Sequence, residues 1–204
     1  MNLISRASIA LALTLALSAC ISVGSKPEAV SLRGLAPVAI ADGGAKADWS
    51  LRIERPRAGD PLDGSRVVLS PAPGEYGVYA GVRWREPLPL MFESLLVRSF
   101  EASGRLAGVT PATSIAGAQR ALEIDVEAFQ AEYRATGDQV RVAFSARLIE
   151  VGSARIVAAR RFESQVPLAS RSIDAVVDGF DRADAELVPQ VIDWALAAAP
   201  PAKP

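Results

Sequence analysis

Two places in this sequence combine residue type and spacing in a way that could carry chemistry. The first is Cys20, the only cysteine of the 204-residue chain, which follows Leu17-Ser18-Ala19. A leucine three positions before a lone cysteine, with small residues between, is the spacing of a bacterial lipobox. That chemistry needs a thiol: a diacylglyceryl group is attached to Cys20 as a thioether, and cleavage before Cys20 frees an amine that takes a further acyl chain. One acyl chain holds a protein to a bilayer only marginally, whereas two or more anchor it stably, each buried CH₂ adding ~0.8 kcal/mol. The competing reading makes Cys20 an incidental residue of an ordinary secretory leader, and the position of the sole cysteine favours the lipobox over it. The second place is the row Glu123, Asp125 and Glu127. Spacing of two sets three carboxylates side by side on one strand face, where acid/base work or a hard cation could be imagined. Cation sites draw several converging oxygens, usually with loop carbonyls, so the row reads instead as a solvated, salt-bridged face.

What is missing narrows the chemistry further. The chain has no histidine, which excludes a Ser-His-Asp triad, a Cys-His pair and any His-ligated metal. One cysteine makes no internal disulfide and no thiolate cluster. Neither G-x-x-x-x-G-K-[ST], G-x-G-x-x-G, H-E-x-x-H nor G-x-S-x-G occurs, so the chain is not itself an ATPase. No cofactor and no metal are expected. The net charge is −1, without the basic excess that nucleic-acid binding demands. These exclusions favour a binding or structural role over an enzyme, with a carboxylate hydrolase built on Glu123, Asp125 or Glu127 as the last-placed reading.

The elements that would position these residues follow from the patterning. Residues 1–19 read as an export signal: Arg6 closes a short n-region, and Ala7 to Leu17 is apolar except for Ser8 and Thr14. That run is too short to span a bilayer, which takes ~20 residues. Residues 20–47 are rich in Gly, Ala, Pro and Ser and read as a lipid-anchored tether with one short strand near Val30 to Leu32. Residues 48–199 form the body. Trp49 to Ile53 alternates as a strand, Arg66 to Leu69 is a short strand, and Glu75 to Trp84 is a longer one with Tyr76, Val78, Ala80 and Val82 on one side.

From 86 to 104 the period changes. Leu88, Met91, Phe92, Leu95, Leu96 and Phe100 form the stripe of an amphipathic helix, with Pro87 at its start and Gly104 past its end. Leu122 to Ala128 and Val140 to Leu148 then alternate as strands, the acidic outer row of the first facing Arg141 and Arg147 of the second. Val151-Gly152-Ser153-Ala154 offers a two-residue hairpin loop into a strand from Arg155 to Phe162, in which the parity of Arg160 calls for a bulge or an early end. A second helical stripe runs over 172–198, with Pro189 as a kink or boundary, and residues 200–204 read as a disordered tail.

The block Tyr79-Ala80-Gly81-Val82-Arg83-Trp84-Arg85-Glu86-Pro87, continuing through Leu95 and Leu96 to Phe100 and Ser103-Gly104, resembles the ABC-type transport auxiliary lipoprotein family. In that family a Tyr and a Trp precede a helix that ends in Ser-Gly before a strand. The downstream order is also similar: alternating strands, then Phe162 to Pro167, then a helix ending near Trp194. With Cys20 the resemblance covers nearly all of the chain. It implies a periplasm-facing lipoprotein working beside an ABC permease, its ATPase and a mammalian-cell-entry (MCE) domain protein in lipid transport between bacterial membranes. Ile21 after the cysteine, rather than aspartate, points to the outer membrane by the enteric sorting rule.

The expectation is therefore an α/β domain: a mixed, mostly antiparallel sheet with two amphipathic helices packed on one face. Its expected role is a non-catalytic adaptor, anchored through Cys20, with Tyr79, Trp84 and Pro87 as a partner-docking patch. Phospholipid is a candidate ligand, nucleic acid is not, and assembly into a homo-oligomer is left open. The alternative is a structural envelope lipoprotein that binds peptidoglycan or regulates a cell-wall enzyme.

Overall fold

A computed structural model describes residues 29–41 and 43–198. Cys20, the leader and the 200–204 tail lie outside the described residues. The larger of two compact units begins at Ser31 and is the body described below.

Its spine is the long strand β7 (Arg120–Arg134), which pairs antiparallel with β8 (Gly137–Glu150) from Arg120↔Glu150 to Arg134↔Gly137. The two-residue turn Ala135-Thr136 closes this hairpin, and Gly137 takes a positive φ of 136° that favours glycine. β8 pairs in turn with β9 (Arg155–Pro167). The loop between them is four residues long, Val151 to Ala154, not the expected two, and Ala154 occupies the left-handed region at φ 53°.

The other edge of β7 is shared by three short strands in sequence order. β2 (Ser50–Ile53), β3 (Arg57–Ala58) and β4 (Arg66–Ser70) lie parallel to it, one after another, at Leu51↔Arg120, Arg57↔Asp125 and Val68↔Gln130. β4 pairs antiparallel with β5 (Gly77–Trp84), β5 parallel with β1 (Ser31–Arg33), and β2 parallel with β6 (Gly108–Pro111). The sheet is thus mixed, as expected: long antiparallel pairing in β7 to β9, short parallel pairing around them.

Helices α1 (Leu88–Ala102) and α2 (Ile173–Ala198) match the two stripes to within a few residues. Pro87 is the N-cap of α1, and Gly104, at φ 59°, follows its end. Both helices press on the same sheet face. Phe129 of β7 stacks on Phe180 of α2 at 4.4 Å, lies 6.1 Å from Phe92 of α1, and meets Trp84 of β5 edge-on at 6.0 Å. Phe92 also packs edge-on against Phe144 of β8, and Trp194 against Phe162 of β9. Aromatic pairs of this kind add about 0.5–1.5 kcal/mol each beyond the area they bury.

Three irregularities set which side chains point inward. The register shifts between Val126 and Ala128, leaving Glu127 without a direct partner. Inward parity therefore passes from Leu122, Ile124 and Val126 to Phe129 and Ala131. In β9 a shift between Ile156 and Ala158 takes Ile156 off the face of Phe162, while Arg160 stays on that face and lies over the Phe162 ring. In β5, Gly81 at φ 67° turns the strand over, so that Tyr79 is on the inner side before it and Val82 and Trp84 after it, while Val78 and Ala80 face solvent. The expected parity of this strand is corrected accordingly.

The expected tether also needs correcting. From Ser31 onward the chain is part of the body: Leu35 is 5% exposed, Val38 and Ile40 pack against the core, and the Ala36 amide donates to Asp181 Oδ1 at 2.8 Å. This strap has no period because single apolar residues, not a regular element, make its contacts.

α2 comes close to β8 at Gly179, where an added Cβ would lie 2.7 Å from Val140 Cγ2 and 3.1 Å from Leu168 Cδ2. Gly179→Ala is expected to cost about 1–3 kcal/mol by overpacking, seen as a clear fall in Tm; an unchanged Tm would show that the helix rides higher on the sheet than described.

Candidate functional site

The three residues expected to form a docking patch do not lie together. Trp84 is 2% exposed, edge-on to Phe129 and to Phe180 at 5.4 Å, and so belongs to the core. Alternation of buried and exposed residues around Gly81 decides this, and the sequence around a bulge hides it. Pro87 is exposed at the start of α1. Tyr79 is half-buried, and its hydroxyl is hydrogen-bonded to that of Tyr133 on β7. Burial, reinforced by that hydrogen bond, pushes the Tyr79 phenol well above its ordinary range. The Arg171 guanidinium sits 4.2 Å from the Tyr133 ring centre and donates to both carboxylate oxygens of Asp138, at 2.7 and 3.0 Å. This cluster ties β5, the end of β7, the start of β8 and the lead-in to α2 into one corner. Arg171 and Asp138 escaped sequence reading because one lies in a loop and the other at the start of a strand, 33 residues apart.

The carboxylate row is where the alternation placed it, on the outer face, and it is neutralised. Arg57 Nε donates to Asp125 Oδ1 at 2.7 Å, and Arg147 reaches both Asp125 and Glu123, the latter at 3.4 Å. Glu127 accepts from Ser145 Oγ at 2.5 Å and Arg161 Nε at 2.7 Å. Glu163 accepts from Arg141 at 2.7 Å, from Gln165 and from Arg161. Hydrogen bonding from Arg57 holds the Asp125 carboxyl below its usual range, Ser145 does the same for Glu127, and Arg141 brings Glu163 down to about 2. Carboxylates so held are weak bases at neutral pH. Among the described residues no group of three acidic or thiol side chains is arranged to hold a metal. The charges of this outer face answer one another.

The open cleft of about 460 Å³ at the β2–β7–β8 end is lined by Asp48, Trp49, Gln119, Arg120, Glu150 and Ser153. Its polar groups are largely spent internally: Gln119 Oε1 accepts from the Ser50 amide and hydroxyl, and Glu150 accepts from Arg120 at 2.6 Å and Ser153 at 2.7 Å.

One ionisable group stands apart. Asp184 is buried in α2, and neither carboxylate oxygen has a hydrogen-bond partner. Burial, with the nearby charge of Asp181, raises its carboxyl well above the usual range.

Comparison with known proteins agrees with this architecture. A family described as the ABC-type transport auxiliary lipoprotein component matches residues 32–192. An uncharacterised protein of Bradyrhizobium diazoefficiens, bll6063, is 28% identical over 151 residues, which is 73% of this chain; the chain spans about two fifths of that relative, 40% of its length. The crystal structure of protein XCC0632 from Xanthomonas campestris superposes with a TM-score of 0.75 at 28% identity, covering 82% of this chain and 96% of that one. The hypothetical protein CT253 from Chlamydia trachomatis, at 13% identity, shares the fold with a TM-score of 0.52 over 74% of this chain and 99% of its own.

For Asp184 the sign of the pH dependence is fixed. A carboxyl raised in the folded state costs nothing below its unfolded pKa, and its penalty grows as pH rises from there to its folded pKa. Asp184→Asn, neutral throughout, is expected to raise Tm at neutral pH, with the gain fading towards pH 4. A gain that persists undiminished in acid would contradict this.

Proposed function

Because the chain belongs to the ABC-type transport auxiliary lipoprotein component family, we propose that it is a non-catalytic docking component of an MCE/ABC-type system that moves lipid across the bacterial envelope. The family match over residues 32–192 carries the reading. Cys20, at lipobox spacing ahead of the matched region, serves as the lipid attachment point that holds the body at the outer membrane, facing the periplasm. No helix among the described residues is long and apolar enough to cross a membrane.

The surface chemistry supports a docking role. The carboxylates of the sheet are spent on guanidinium partners, the body has no imidazole, and the open cleft has its polar groups paired. Pro87 at the start of α1 and, separately, the Tyr79 corner are the proposed contacts for the MCE-domain protein, with the permease and ATPase reached through that protein. Trp84 acts from the core, holding the end of the strand that carries Tyr79 and leads into Pro87.

Chemical crosslinking in cells, followed by recovery of the full-length chain from membranes, tests this. An MCE-domain protein and ABC permease or ATPase subunits are expected among the crosslinked species. Their absence, under conditions that capture other envelope complexes, would overturn the proposal.

A further inference from the structure

The arginines of the sheet are almost all matched. Arg33 pairs with Asp174 at 2.7 Å, and Arg52, Arg57, Arg120, Arg134, Arg141, Arg147, Arg155 and Arg161 each have a carboxylate partner. Among the described strand residues only Arg66, Arg83 and Arg160 make no ion pair, and Arg160 lies over the Phe162 ring at 4.7 Å. Arg66 and Arg83 are exposed and directly opposite each other in the β4–β5 pairing. Like charges at such a position are destabilising, so the sheet carries there a local cost that it avoids elsewhere.

The same outer surface is apolar around them. Leu32 of β1 is the registered partner of Arg83 and is 64% exposed; Val78 of β5 is 38% exposed, and Ala80 is exposed beside it. Tyr76, just ahead of β5, is 55% exposed. The bulge at Gly81 is what turns Val78 and Ala80 outward while Val82 and Trp84 stay in the core. β1 is a terminal strand of the sheet and the first element of the body. Cys20 precedes it by 11 residues, a length that spans at most about 40 Å when fully extended.

We propose that this outer face of β1, β5 and β4 lies on a phospholipid surface bearing anionic headgroups, with Leu32, Tyr76 and Val78 entering the interface and Arg66 and Arg83 meeting the phosphates. The proposal rests on anchoring at Cys20, which keeps β1 within reach of the bilayer. Apolar side chains ringed by unpaired guanidiniums are complementary to that interface. Docked this way, the domain has a set orientation at the membrane rather than tumbling on its anchor, and both helices, which cover the opposite sheet face, are turned away from the lipid.

The test uses the full-length lipidated chain in phosphatidylcholine vesicles with and without phosphatidylglycerol. An environment-sensitive fluorophore is placed at Leu32→Cys, at Val78→Cys and, as a control on the exposed side of α2, at Asp178→Cys. With phosphatidylglycerol present, emission from positions 32 and 78 is expected to shift to the blue and to be quenched by a bilayer-embedded quencher, while position 178 stays aqueous. In the Cys20→Ser chain, Arg66→Gln with Arg83→Gln is expected to weaken phosphatidylglycerol-dependent vesicle binding roughly tenfold or more. Vesicle-bound protein whose probes at 32 and 78 stay aqueous, or shift without responding to the quencher, would overturn the proposal while leaving the anchor intact. A wild-type chain that fails to stay with the vesicles would overturn the anchoring itself, and this orientation with it.

Discussion

The aromatic contact at Phe129 is the constraint from which the rest of the arrangement follows. One ring stacks on α2 through Phe180, meets β5 through Trp84 and touches α1 through Phe92. It points inward only because the register of β7 shifts after Val126. A one-residue slip in a strand exchanges its faces, so without the bulge Phe129 would face solvent and Ala128 the helices. Full-length pairing with β8 on one edge, and with three short strands on the other, holds that register in place. The two helices, the Trp84 strand and the meander are consequently one body.

This dependence also explains which parts of the fold are legible from sequence. The helices are legible because Leu88 to Phe100 and Ile173 to Ala195 keep the 3.6 period throughout. The first half of β7 and all of β8 are legible because one face is dry and the other is charged. Legibility fails at the bulges. Beyond Glu127, Gln130 and Glu132 are buried as well as Ala131, and a strand buried on both faces shows no alternation. β5 misleads for the same reason, since Gly81 reverses its parity and places Trp84, which reads as a surface candidate, in the core. The strap from Ser31 to Ala47, and the short strands β3 and β6, owe their places to long-range pairing with elements whose position no local pattern announces.

The candidate site divides along similar lines. The acidic row and its basic counterpart were readable by parity, and their pairing removes the one constellation that invited a catalytic reading. The Tyr79–Tyr133–Arg171–Asp138 corner was not readable, because it gathers β5, the β7–β8 hairpin and the lead-in to α2 from distant stretches of chain. What stands out physically is charge that has no answer within the described fold: Arg66 and Arg83 at the edge where the body begins. A sheet that neutralises nearly every other strand arginine, yet leaves two facing each other beside exposed Leu32 and Val78, has a surface shaped by something outside itself. An anchored body that sits against lipid on one face can offer its helix side and the Pro87 end of α1 to partners.

All of this turns on the lone cysteine being an attachment point. The most direct measurement is the intact mass of the full-length gene product recovered from bacterial membranes, with fragmentation of its N-terminal peptide. The account predicts a mature chain that begins at Cys20 and carries a diacylglyceryl thioether with at least one further acyl chain. A mature chain that begins elsewhere, or one whose Cys20 retains a free thiol, would contradict it.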